Sequence, residues 1–376
     1  MRSTNPVLEQ IARERSRLAG KRFARSVKEK LHFLLRLRAF INEDRQKKPQ
    51  LSWRHTLRAW RHGFERFHYK LFALDQGGDP TQYVSDFSML LAYRDINGRF
   101  SEMVNNKYAF GRMMSLMGMP TPAIKGVIVK GAFYPLDAAR AIQAADFLQA
   151  AFVPGERLVL KPIWGYHGFG FICLARENDG WRVNNEKTPA PLVAGMIGKL
   201  DDYLVTEFVN QGEFSSTLYP LTPNTIRMVT MWDDEKMEAF VARAVLRIGT
   251  SRSFPVDNFK AGQGGLSALI DLAGGELGPG AMADGTGKPV WHTIHPESHA
   301  PIQGVVVPAW NELQARILEY AGRFAFIPCI GWDIILTDKG FSILEGNSTP
   351  GMPVLQIHGP LLADPRIARF YRRRTP

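Results

Sequence analysis

Apolar residues recur at helical intervals through the first seventy positions. Phe23, Val27, Leu31, Leu34 and Ile41 follow steps close to 3.6. Trp53, Leu57, Trp60, Phe64, Phe67 and Leu71 alternate by four and three, which predicts one apolar stripe along one helix. Arg54, Arg58, Arg61 and Glu65 fall off that stripe. Gln46, Lys47, Lys48 and Pro49 separate the two patterns, and Gly77-Gly78-Asp79-Pro80 ends the second. Two readings fit: a helical hairpin packed on the rest of the chain, or a basic amphipathic surface for an anionic lipid or a phosphorylated glycan carrier.

Beyond Asp79 the pattern changes. Asn106-Lys107 opens a helix through Met117 that Gly118 stops, and helices are also predicted over 137–152, 308–326 and 360–376. Strands are predicted at 124–129, 158–162, 171–175, 203–209 and 267–271, with a strand-rich block over 214–248. Residues 330–337 and 341–345 read as an antiparallel pair joined at Asp338-Lys339-Gly340. Helices and strands mix without strict alternation, which predicts an α+β architecture rather than one doubly wound sheet. We divide the chain into a helical region, 1–95, and a main body, 96–376.

Composition sharpens this picture in one respect. With 45% hydrophobic and 22% charged residues, the 376-residue chain has the makeup of a globular protein, and disorder of the whole is excluded. The net charge of +11 is unevenly placed. Residues 1–70 hold 19 basic and 6 acidic side chains, a net of +13, and the other 306 hold 28 and 30, a net of −2. One end of the chain is therefore expected to meet an anionic partner. Nucleic acid ranks below lipid or glycan carrier because no nucleic-acid motif accompanies the charge.

No apolar run is long enough to span a bilayer. Residues 1–20 carry four arginines and no apolar core, so no secretory signal is expected, and Glu9 and Glu14 argue against an Arg-rich targeting peptide. Cys173 and Cys329 both sit among apolar residues and are expected to be buried thiols. These features predict a cytoplasmic protein, with peripheral membrane contact through the basic helices as the alternative.

Three segments carry chemistry. The first is Leu344-Glu345-Gly346-Asn347-Ser348-Thr349-Pro350-Gly351, with Asp333 on the preceding strand. Glu345 and Asn347 are two apart and project from one strand face, and a hairpin brings Asp333 beside them. Asp, Glu and Asn offer hard oxygens suited to Mg2+ shared with phosphates. A lone Asp333 inside the apolar run 330–335 would be costly, so it needs a partner. The second segment is the strand Leu158-Val159-Leu160-Lys161-Pro162 followed by Gly165, Gly168 and Gly170, a lysine needing an anion beside a loop whose backbone can approach a phosphate. It lacks the order of a Walker A loop. The third is Tyr203–Val209 followed by Glu213, an extended segment able to offer backbone groups to a base and a carboxylate to a ribose. His167 reads as a loop residue. His292, His295 and His299 have helical spacing, but Pro296 makes a loop the better expectation than a metal site.

In this order the three segments resemble the ATP-grasp superfamily over about residues 100–360, with the closing Asp…Glu-x-Asn-x-x-Pro-Gly pattern as the most specific part. Asn224–Arg227, Asn258–Gly265, Gly331-Trp332-Asp333 and Gly359–Pro365 point to the sugar-transfer-associated ATP-grasp group. The resemblance implies two α+β lobes clamping ATP, and ATP and Mg2+ as cofactors. It implies phosphate contacts by Lys107 and Lys161 under a flap of Gly165, Gly168 and Gly170. It implies adenine contacts by Glu207, Phe208 and Val209, a ribose contact by Glu213, and Mg2+ ligands Asp333, Glu345 and Asn347. Arg227, Arg243, Asn258 and Lys260 become candidates for the acyl-phosphate pocket.

The family chemistry joins a carboxylate to an amine through an acyl-phosphate, here expected on a sugar, a glycan precursor or a small amino-acid-like acid. A kinase acting on a sugar-type hydroxyl and a nucleotide-binding accessory protein of glycan assembly are the alternatives. Many superfamily ligases carry an arginine two residues before the first metal aspartate; here that position is Gly331.

Overall fold

The computed structural model describes residues 35–45, 51–92, 96–136, 140–143, 146–148, 155–165 and 168–374. The flap residues 166–167, and with them His167, lie outside the described residues, as do most of the predicted 23–41 stripe and of the 137–152 helix. Within that last segment Ile142–Gln143 is a short strand rather than helix.

Two antiparallel sheets make up the body. The first runs, in spatial order, Ile142–Gln143, Ala132–Pro135, Ile124–Val129, Tyr203–Glu207, Arg157–Pro162, Ile172–Glu177, Gly180–Val183 and Glu186–Thr188. The second runs Pro289–His292, Leu277–Ala283, Leu266–Ile270, Glu238–Ile248, Thr225–Asp233, Cys329–Thr337 and Gly340–Asn347. Residues 213–218, expected within a strand-rich block, form a helix that opens at Gly212, where Glu213 N donates to Asp338 Oδ1 at 2.8 Å.

The second sheet buries both faces. Ile226, Met228, Ala244, Leu246, Trp332 and Ile334 point to one side, where the helix Trp310–Arg323 sets Trp310, Leu313, Ile317 and Tyr320 against them. The spacing of three, four and three on that helix is the signature of a single buried stripe. Val229, Met231, Val245 and Cys329 point to the other side. There they meet Phe64, Tyr69, Leu71 and Leu74 from the N-terminal helices and Ile367, Phe370 and Tyr371 from the C-terminal helix Pro365–Arg374. Residues on both sides of position 95 therefore share one core.

The continuous stripe expected over 53–71 is two helices, Trp53–Arg61 and Arg66–Leu71. Gly63 breaks it with φ +76°, and a Cβ there would come within 2.9 Å of Ser85 Oγ. The break sends Phe64 and Leu71 into the core and leaves Trp53 and Leu57 in solvent at 69% and 54% exposure. Among the described residues no helix is long and apolar enough to cross a membrane.

Candidate functional site

Four neighbouring strands build one polar floor. In register, Asp333 lies opposite Arg227 on one side and Glu345 on the other, while Gly331 lies opposite Asn347. Alternation along each strand places Arg227 on the same sheet face as Val229 and Met231, so a polar patch continues where the apolar one stops. Arg247 completes it from the next strand, where it pairs with Thr225.

Asp333 is buried and doubly bridged. Arg227 Nε donates to its Oδ1, Arg227 Nη2 to its Oδ2 at 3.0 Å, and Arg247 Nη2 to its Oδ2 at 2.9 Å. Burial pushes the carboxyl upward, but the two guanidiniums outweigh it and hold the group down at about 2. Arg247 also lies 3.6 Å from Asp257 Oδ1, and Asp257 Oδ2 accepts from Thr225 N at 2.8 Å. Burial pushes Asp257 above the usual carboxylate range. In Arg247 burial acts against the charge, but its carboxylate neighbours raise the guanidinium.

Across from this floor stand the two lysines. Asn106 caps the helix Lys107–Leu116 by accepting from Ala109 N at 2.9 Å, which fixes Lys107 at the first position. Lys107 Nζ donates to Gly165 O at 2.7 Å and lies 3.7 Å from Glu345 Oε2. Lys161, on Arg157–Pro162 of the first sheet, donates to Leu344 O at 3.2 Å. Burial lowers its pKa, with Glu345 and Asp333 opposing that shift and Lys107 adding to it.

These side chains enclose a cavity of about 520 Å³. It brings together Lys107, Lys161, Gly165, Gly168, Arg227, Asn258, Lys260, Asp333, Glu345 and Asn347, all named from the sequence. A smaller cavity of about 220 Å³ is lined by Phe208 and Val209, with Phe171 common to both. There the Arg157 guanidinium stands 4.0 Å from the Phe208 ring centroid.

Four named residues lie elsewhere. Arg243 Nη1 donates to Leu355 O at 3.0 Å and Gly359 O at 2.8 Å, clamping the chain after the metal-type motif. Glu207 Oε1 accepts from Ala123 N at 2.9 Å and ties two strands together. Glu213 is exposed at its helix start. Gly170 packs against Tyr203 and Pro162.

Cys173 is half-buried and lines the smaller cavity rather than the core, while Cys329 is fully buried, with its thiol pushed up to about 12. His295 is a buried structural residue, its Nε2 bonded to Gly249 O at 2.8 Å, and among the described residues no cluster of His, Cys, Asp and Glu has metal-site form.

Three titratable cavity residues escaped sequence reading. Arg247 and Asp257 are two. The third is His68, from the N-terminal helices, whose Nδ1 lies 2.9 Å from Asp86 Oδ1, while Asp86 Oδ2 accepts from Glu65 N at 2.8 Å.

The donor chemistry fits a magnesium–polyphosphate. Glu345 and Asn347 present hard oxygens side by side, as Mg2+ prefers. Asp333 is the exception in that set, because both its oxygens already accept from guanidiniums.

The family model of sugar-transfer associated ATP-grasp proteins matches residues 93–369. No curated protein matches the chain. Among solved structures, the chain is similar to N5-carboxyaminoimidazole ribonucleotide synthetase from Thermus thermophilus, at 12% identity over 66% of this chain and 46% of that one, with a TM-score of 0.34. Biotin carboxylase from Campylobacter jejuni is similar at 13% identity over 72% and 46%, with a TM-score of 0.39. VanG D-Ala:D-Ser ligase from Enterococcus faecalis is similar at 14% identity over 73% and 64%, with a TM-score of 0.39. The chain thus spans about half the length of the first two, at 46% each.

Proposed function

This chain belongs to the sugar-transfer associated ATP-grasp family, and from that premise we propose that it is an ATP- and Mg2+-dependent ligase that joins a carboxylate to an amine through an acyl-phosphate. The observation that carries the reading is the charge of the larger cavity. Five cationic side chains, Lys107, Lys161, Arg227, Arg247 and Lys260, face three carboxylates, Asp257, Asp333 and Glu345. An excess of positive charge in a walled cleft concentrates anions, and a polyphosphate and an acid are both anions.

Phosphoryl transfer asks a protein for position and charge neutralisation more than for covalent chemistry. Lys107 and Lys161 stand together on one side of the cavity, across from Asp333 and Glu345, where they can meet phosphate oxygens. Gly165 and Gly168 offer backbone without side chains, and Gly168 takes φ +69°. Glu345 and Asn347 would hold Mg2+, which when bound supplies charge neutralisation between phosphate oxygens.

Arg227 serves in place of the arginine absent at Gly331. A Cβ at Gly331 would lie 2.9 Å from Pro350 Cβ and 3.5 Å from Arg227 Cδ, so Arg227 already fills that space from the neighbouring strand. Its guanidinium, anchored on Asp333 and donating to Pro350 O at 2.6 Å, is held rigid for a developing oxyanion. On the acceptor side, His68 lines the cavity with its Nδ1 held 2.9 Å from Asp86 Oδ1, which fixes the ring beside the space where an amine would enter. The acid belongs to a sugar, a glycan precursor or a small amino-acid-like molecule, and the reaction takes place in the cytoplasm, where ATP is supplied.

The test is product analysis with ATP, Mg2+ and a panel of acids and amines. Formation of ADP, free phosphate and an amide supports the reading. ADP with a phosphorylated product and no free phosphate would make the protein a kinase, and ATP binding with no turnover on any substrate would make it an accessory protein.

A further inference from the structure

We propose that the outer face of the helix Trp53–Arg61 docks the protein on an anionic lipid surface. The helix has a buried and an unpartnered side. On the buried side Ala59 is fully covered. On the other, Trp53 and Leu57, one turn apart, stand 69% and 54% exposed, and Arg54, Arg58 and Arg61 are exposed beside them.

The helix has no acidic residue, and among the described residues none of its three arginines forms a salt bridge. The other basic helix, Pro365–Arg374, behaves differently. Arg369, Arg373 and Arg374 are neutralised by Asp233, Asp234 and Glu235. The contrast separates a basic helix that the fold consumes from one whose charge is presented outward.

Like charges at i and i+4, as in Arg54 and Arg58, repel one another and find relief in an anionic partner. A tryptophan and a leucine between arginines suit the boundary of headgroups and acyl chains, and the Arg54 guanidinium already lies 5.6 Å from the Trp53 ring centroid. The chain composition agrees, since residues 1–70 carry the whole of the protein's positive excess. The same helical pair bears His68 on the cavity wall, so a docked helix would keep the cavity close to the lipid.

Co-sedimentation of the full chain with vesicles tests this. Phosphatidylcholine vesicles containing phosphatidylglycerol should bind the protein at low salt, and binding should fall as salt screens the charge. The variant Arg54→Gln/Arg58→Gln/Arg61→Gln should bind about a hundredfold more weakly, and Trp53→Ala/Leu57→Ala about tenfold more weakly, with unchanged melting temperature and ATP affinity. Should the triple variant melt lower, Arg54→Gln alone is read in the same way. Absence of binding to the anionic vesicles, equal binding to pure phosphatidylcholine, or full binding by the arginine variant would each overturn the proposal.

Discussion

Arg243 and Arg247 are four apart on one strand and face the same way, yet one clamps carbonyls and the other reaches Asp333. Spacing alone ranks them equally. What separates them is what each meets across the sheet, since Arg243 lies opposite Val229 and Arg247 opposite Thr225, which no local pattern encodes. Asp333, by contrast, was legible as a buried carboxylate needing a partner; that the partners are two guanidiniums needed the neighbouring strands in place. Lys161 was equally legible, a cation inside an apolar strand. Lys161→Ala should remove a charge-assisted contact of about 1.5 to 3 kcal/mol and raise the Kd for ATP by roughly ten- to a hundredfold, read by calorimetry; unchanged affinity would make the lysine structural. A second residue-scale expectation concerns His358, which no motif marked. Ser267 Oγ donates to Val354 O, so His358 Nε2, 2.8 Å from that oxygen, is the donor to it. Burial, reinforced by Arg243, depresses the imidazole to about 3. In the unfolded chain the ring takes a proton near its ordinary value of about 6.5, while the folded protein keeps it neutral. Stability from this group is therefore complete above about pH 6.5 and falls as pH drops toward the folded value. Between about pH 5 and 6 the wild type should gain up to about 1.4 kcal/mol relative to His358→Gln, measured by urea unfolding. Parallel pH profiles of the two proteins would contradict the assignment.

Elements with their own local signals were read closely from the chain. The hairpin Cys329–Thr337 and Gly340–Asn347 follows its apolar alternation and its Asp338-Lys339 turn. The helix Lys107–Leu116 begins where an Asn before a helical run predicts a cap. That cap has a functional consequence, because it sets the residue whose amine meets Gly165 O and Glu345. Asn106→Ala should cost about 1 kcal/mol of stability and weaken ATP binding at the same time, whereas Asn106→Asp should keep both, because aspartate caps equally well. Equal ATP affinity in the alanine variant would separate the cap from the site. The 53–71 stripe failed for an equally physical reason. Its four-and-three spacing continues unbroken across His62-Gly63, so periodicity reports one helix, while the positive φ of Gly63 and the close approach of Ser85 require a turn. Hydrophobic spacing records which residues want burial, not whether one rigid helix delivers all of them to the same place.

At the scale of the molecule, the basic region could be read as a hairpin packed on the body or as an amphipathic surface for an anionic partner, and its inner part is packed on the body. Phe64, Tyr69, Leu71 and Leu74 are fully buried, and they share a core with Val229, Val245, Cys329 and Leu355 of the main body. Burying side chains of this size stabilises by about 1.5 to 3 kcal/mol each, so the four together contribute roughly 6 to 12 kcal/mol. That is the same order as the whole stability of a typical domain, about 5 to 15 kcal/mol. Removing residues 1–75 would also uncover the apolar face of the second sheet on which the site is built. Such a truncation should therefore be insoluble, or melt far below the intact chain, and should lose ATP binding with its fold. A thermal melt of this truncation beside the intact chain tests the expectation. A 1–75 deletion that melts like the full protein would show that the shared core contributes far less than its buried area implies, and that the inner helices are separable from the body after all.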